Sequence, residues 1–317
     1  LKFILFMLSR AAESVSWLAR YMERTNGLLR VLRTNYVASQ DEMKEYNWKS
    51  VLQTYGYLNA GQIEAIQYNS RAVLEYVMLD RNKDASLINN ITRARENAKA
   101  VQDHITKEVW HNLNAYYLLI REPNIEQNIK YGDPITALDA LIKHGLFLYG
   151  TVTVTMSRGE AYNFLNVGRY IERAIISTDV TDIKLKEVGY DLKHETAVPS
   201  LRYLLYSLSG YEAYLKTSKG IVEPHTIMNQ ILYDEDFVHS VLYCMAHISR
   251  YFKRLSTQSI PESYAHVDFL IGKGLSNLKY ASCDLKDGTS IKGLLSQTRT
   301  DLHHISRAFN THYFGYT

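Results

Sequence analysis

Two short stretches of this chain carry the same charged groups at the same spacing: Arg20-Tyr-Met-Glu-Arg24 and Arg169-Tyr-Ile-Glu-Arg173. The planar fork of an arginine side chain takes the two oxygens of a carboxylate or of a phosphate equally well. Arg20, Glu23, Arg24, Arg169, Glu172 and Arg173 therefore admit three readings. On a solvated helix face, each Glu–Arg pair stabilises by only ~0.2–0.5 kcal/mol. In a buried layer the same groups must be paired and hydrogen-bonded. Such a layer is either an architectural clasp or a ligand site for an anion.

A second polar phrase, Arg93-Ala-Arg-Glu-Asn-Ala-Lys99, places Ala94 and Ala98 one turn apart. Small residues at that spacing admit a close helix neighbour, which would bring Arg95, Glu96 and Asn97 near the contact. Together these nine residues, Arg20, Glu23, Arg24, Arg95, Glu96, Asn97, Arg169, Glu172 and Arg173, form the candidate polar cluster. His104, Glu108 and His111 follow at helical spacing, and Glu108-x-x-His111 matches half of a carboxylate-bridged di-iron motif. The chain has no second Glu-x-x-His, so no metal is expected there, nor at the isolated pair Glu262 and His266. Gly272-Lys-Gly274 lacks the rest of a phosphate loop. Cys244 has only His247 nearby as a base, and there is no Gly-x-Ser-x-Gly. No cofactor is expected, and no catalytic residue can be singled out.

The elements that must position these groups are helical. Val15, Leu18, Met22, Thr25, Leu29, Leu32 and Tyr36 recur at spacings of three and four. Phe164, Val167, Ile171, Ile175 and Thr178 form a second such stripe, and at about 100° per residue the charged triplets take matching angles to both stripes. The copies lie 149 residues apart, near half of the 317-residue chain, as expected of a duplicated unit. A weaker echo pairs Asp80 and Ser86 with Asp234 and Ser240, each Ser six residues after its Asp and suited to capping a helix.

The periodicity predicts helices near 8–36, 47–59, 62–79, 84–115, 134–149, 159–187, 198–217, 224–232, 236–256, 264–280 and 289–309. The expected fold is an all-α bundle of ten to eleven helices built from two pseudo-repeats, 7–156 and 157–317, packed as one domain. Residues 150–156, Gly-Thr-Val-Thr-Val-Thr-Met, alternate like a strand, but a lone strand has no partner, so this too is assigned to a helix or its end.

Composition bounds the function. A net charge of +3 and the lack of a dense basic stripe argue against nucleic acid. The opening apolar run is about eight residues long and no later one reaches the roughly 18 of a membrane helix, so no membrane span is expected. Met7 is a plausible start, with 1–6 an upstream segment. Two cysteines, Cys244 and Cys283, without a Cys-x-x-Cys pair suggest free thiols and a cytoplasmic setting.

Read together, Met7-Leu-Ser-Arg-Ala-Ala-Glu13, Trp17-Leu-Ala-Arg-Tyr-Met-Glu-Arg24, Ala94-Arg-Glu-Asn-Ala-Lys99, Glu108-Val-Trp-His-Asn-Leu-Asn114 and Phe164-Leu-Asn-Val-Gly-Arg-Tyr-Ile-Glu-Arg-Ala174 resemble the alpha-E family of bacterial all-helical proteins. Ala19 stands where that family usually has glycine, and Lys99 where it often has arginine. The resemblance implies a setting beside a circularly permuted ATP-grasp ligase, often with a transglutaminase-like peptidase, in a peptide-modification system. It implies two possible roles: a helical partner or substrate-binding module of the ligase, or an enzyme with an Arg/Glu-lined cleft acting on a carboxylate or amide.

Overall fold

Helical periodicity carries through to the fold. The computed structural model describes residues 7, 9–40, 46–56, 58–255 and 261–315. Expectations about residues 1–6 lie outside them. Fifteen α-helices and no strand occur among the described residues. In chain order they are α1 (Ser9–Ala38), α2 (Lys49–Val51), α3 (Ala60–Ile66), α4 (Ser70–Leu79), α5 (Leu87–Ala100), α6 (Lys107–Leu119), α7 (Pro123–Lys130) and α8 (Pro134–Thr155). Then follow α9 (Glu160–Glu187), α10 (Ala197–Ser207), α11 (Tyr211–Ser218), α12 (Pro224–Tyr233), α13 (Val241–Lys253), α14 (Pro261–Lys279) and α15 (Gly288–His312). A five-residue π turn, Leu52–Gly56, continues α2.

The all-α class stands, but the expected count of ten to eleven does not. Three expected helices are each divided by a local signal that outweighs periodicity. The 62–79 segment breaks where Asn69 caps α4, its side chain accepting from the Ala72 N–H at 3.1 Å. The 84–115 segment breaks after Val101, and Thr106 starts α6 by accepting from the Val109 N–H. The 198–217 segment breaks at Ser209, whose φ of 55° is left-handed. The unpredicted α7 begins on Pro123, whose fixed φ suits a first helical position.

The alternating 150–156 stretch is helical as far as Thr155. Thr151 and Thr155 donate back to the carbonyls of Phe147 and Thr151, at 3.0 and 2.8 Å. Asn112 of α6 donates to the Thr151 hydroxyl at 3.0 Å, and Thr106 bonds Thr155 at 2.7 Å. Tertiary partners thus override the β-branched preference.

The two halves pack in the same order. In the first, α1 lies on α5, α5 on α6, α6 on α8, and α8 returns to α1. In the second, α9 lies on α13, α13 on α14, α14 on α15, and α15 returns to α9. The halves meet chiefly through α1 against α9. Both central helices are buried on every side. Residues 25–29 of α1 and 162–168 of α9 are buried without interruption, more than one full turn in each case.

The weaker echo also repeats as backbone geometry. Asp80 and Asp234 share φ −67° with ψ 111° and 117°, and Ser86 and Ser240 sit at φ −63°, ψ 154° and φ −67°, ψ 150°. The two serines differ in bonding. Ser240 accepts from the Tyr243 N–H at 3.0 Å and donates to the Asp234 carbonyl. Ser86 is equally buried, yet its hydroxyl has no hydrogen-bond partner among the described residues. Ser240→Ala is therefore expected to lower stability by about 1–2 kcal/mol, and Ser86→Ala to leave it unchanged or raise it. Denaturant melts of the two variants check this; equal losses would reject the assignment.

Candidate functional site: a reciprocal arginine–glutamate clasp

The two charged triplets meet. Arg20 Nε donates to Glu172 Oε2 at 2.9 Å, and Arg24 Nε to Glu172 Oε1 at 2.7 Å. In return Arg173 embraces Glu23, with Nε to Oε1 at 2.7 Å and Nη2 to Oε2 at 3.0 Å. Arg169 Nε stands 3.7 Å from Glu23 Oε2, its guanidinium 4.1 Å from the centre of the Tyr149 ring. Each half's glutamate is held by the other half's arginines.

This exchange follows from how the helices align. The contacts Arg20–Glu172, Arg24–Glu172, Glu23–Arg173 and Asn35–Lys184 span 152, 148, 150 and 149 residues of sequence. A constant separation along two helices means that they run parallel, with corresponding residues level. In an antiparallel pair the separation would change by two for every residue advanced. Gly27 meets its own counterpart Ile176 across the seam: a Cβ there would lie 2.8 Å from the isoleucine side chain.

Glu23 and Glu172 are 1% and 2% exposed. Burial alone would raise the pKa of each. The charge and hydrogen bonds of Arg173, with the charge of Arg169, nevertheless hold Glu23 far below the ordinary carboxylate value. Arg24 and Arg20 likewise depress Glu172. Both carboxylates are ionised and acceptor-only. Four guanidiniums face two carboxylates, so the clasp carries an excess of positive charge.

The sequence did not single out several residues that complete this layer. Tyr149 of α8 donates to Glu23 Oε2, and Arg20 Nη1 donates to Ser306 of α15 at 2.6 Å. The last helix of each half, α8 and α15, thus braces the clasp. One Tyr among 25 gives no signal by itself. Asp179 pairs with Arg299 beside it, and burial pushes that carboxyl up to about 6 against the guanidinium's opposing pull. His239, 7% exposed, is held neutral by burial and by the charge of Arg173. Lys184 is almost fully buried and donates to Asn35 Oδ1 at 2.7 Å and to Glu187 at 3.0 Å. Its legible signal was register, since it lies one repeat length from Asn35. Arg30 also lies on this face, seven residues and two turns beyond Glu23.

The second phrase stands elsewhere. Ala94 and Ala98 are fully buried and let α5 lie on α1, as their spacing suggests. Arg95 donates to Asn114 at 2.8 Å and to Glu96 at 2.7 Å, between the rings of Trp110 and Tyr117. Glu96 is exposed and Asn97 half-buried. Arg95 therefore pins α5 to α6, and its bonds go to neither clasp carboxylate.

The weaker candidates separate as well. His104 lies in the turn before α6 instead of on its helix, and Glu108 and His111 are exposed, as are Glu262 and His266. Among the described residues no group of three or more His, Cys, Asp or Glu side chains converges as a metal site. Gly272 and Gly274 fall inside α14, so they form no loop. Burial pushes the Cys244 thiol up to about 12, which leaves it protonated, and His247 stacks on Tyr243 at 3.9 Å. No helix of the described residues is long and apolar enough to cross a membrane.

No curated protein and no solved structure matches the chain. One family does, over residues 7–314, and its description is "a predicted alpha-helical domain with a conserved ER motif". The Glu23-Arg24 and Glu172-Arg173 pairs are two such Glu-Arg steps, here facing one another across the seam. This chain belongs to the Alpha-E family.

Proposed function

We propose that this chain is a non-catalytic helical module, the partner or substrate-binding component of a circularly permuted ATP-grasp ligase. It would work alongside a transglutaminase-like peptidase in cytoplasmic peptide modification. One observation carries the non-catalytic part. Both clasp carboxylates are buried, and their oxygens are taken up by arginines of the opposite half. A general acid or base must reach the proton it transfers. Glu23 and Glu172 face guanidiniums instead, which favours architecture over catalysis. Family membership supports the partner assignment only by analogy. We also read the equal packing order of the halves as duplication, residues 7–156 and 157–317 each being one unit.

The alternative is an enzyme with an Arg/Glu-lined cleft, which needs a carboxylate open to a substrate. The experiment that separates the two is co-expression with a circularly permuted ATP-grasp ligase from the same organism, followed by size-exclusion chromatography and an ATP-hydrolysis assay. Co-elution, with ligase turnover that rises when this chain is present, is the expected result. Separate elution with unchanged turnover would overturn the partner reading. Substrate conversion by this chain alone would favour the enzyme.

A further inference from the structure

Beside the clasp stands a cation for which the described residues supply no ion pair. Arg30 follows Glu23 by two turns on α1, and its Nε is buried with no hydrogen-bond partner among the described residues. Its environment is already positive. Burial lowers its pKa first, and although Glu23 opposes this, Arg173 and Arg169 lower it further. Glu23 itself is engaged by Arg173. A buried guanidinium Nε without an acceptor is costly, so the site has a place for an anion that the described residues do not supply.

Arg30 also lines a cleft of about 640 Å³ between α1, α8 and α10. That volume suits a small ligand. Two further arginines line it. Arg33 is already matched by Asp139 in a two-pronged pair. Arg202 of α10 is exposed at the rim. The rest of the wall is largely apolar: Val37, Ile142, Pro199 and the rings of Tyr203 and Tyr206. Free phosphate, hydrated on every side, gains nothing from such a wall. A carboxylate on an apolar or aromatic body uses both features.

We propose that the cleft between α1, α8 and α10 binds a small organic carboxylate with an apolar body. Arg30 at its floor and Arg202 at its rim take the carboxylate, and Val37, Ile142 and the two tyrosines take the body. This deepens the binding-module reading and rests on it, naming where the ligand sits and its chemical class.

The test is calorimetric titration of the intact protein with hydrocinnamate, with the amide of the same acid, and with inorganic phosphate. Saturable binding of hydrocinnamate is expected, at least about tenfold tighter than the amide or phosphate. Arg30→Met should weaken it at least about tenfold, with a melting temperature equal to or above that of wild type because a buried unmatched charge is removed. Arg202→Gln lies at the surface and keeps the fold; it should weaken binding several-fold, and it carries the test if Arg30→Met does not fold. Equal affinity for acid and amide, tighter binding of phosphate, wild-type affinity in the folded variants, or no saturable binding of hydrocinnamate would each overturn the proposal. Co-elution with the ligase is read separately, so loss of one result leaves the other standing.

Discussion

Glu23→Ala is expected to lower folding stability by about 3–5 kcal/mol. Arg173 has a side chain only 6% exposed, and both of its bonds to Glu23 vanish with the carboxylate. The stranded guanidinium dominates the loss. Removing both charges, as Glu23→Leu with Arg173→Met, should therefore recover most of it, since a buried pair replaced by apolar groups is often neutral. Arg24→Ala should lose far less, because Arg24 is 30% exposed and Glu172 keeps Arg20. Denaturant melts of the four proteins read these differences, and a Glu23→Ala midpoint equal to wild type would show the clasp to be ornamental. The same carboxylates set an acid limit. Both have folded pKa values below the ordinary 4.5, so their stabilisation is complete above that value and is lost as pH falls below it. Glu23→Gln should flatten the fall in melting temperature below pH 4.5.

Gly168→Ala should destabilise by about 1–3 kcal/mol even though alanine is the better helix former. A Cβ at Gly168 would stand 2.5 Å from the Ser16 carbonyl oxygen and 2.7 Å from its hydroxyl. The nearer obstacle is backbone, so α1 and α9 would have to part by about 1 Å to restore an ordinary contact distance. Because the clasp spans that seam, its hydrogen bonds would lengthen together. Gly150→Ala is the control of opposite sign. Its Cβ would meet nothing within 4 Å, so the variant should gain up to about 1 kcal/mol from helix propensity alone. If both substitutions stabilise, the seam is looser than the close approach at Gly168 implies. The position 149 residues before Gly168, Ala19, is 1% exposed, its methyl group part of the buried core.

The sequence by itself determined the two central helices and the angular match of their charged triplets. The expected spans 8–36 and 159–187 lie within two residues of Ser9–Ala38 and Glu160–Glu187. Long amphipathic periodicity is a local property, repeated often enough to be read reliably. The 149-residue offset also held the answer to pairing, because level parallel helices bring equivalent residues together. What it could not announce was that the helices are parallel at all. That depends on how α5, α8, α13 and α15 pack around the pair. Short breaks at Asn69, Val101 and Ser209 were hidden for the converse reason: one cap or one left-handed residue weighs little against a continuing apolar pattern. Only the tertiary structure decided which charges are buried, which acceptors Tyr149 and Lys184 find, and that Arg30 is left facing a cleft. Each of those outcomes depends on groups more than a hundred residues apart reaching one low-dielectric seam, where an ionised side chain persists only if a partner arrives with it.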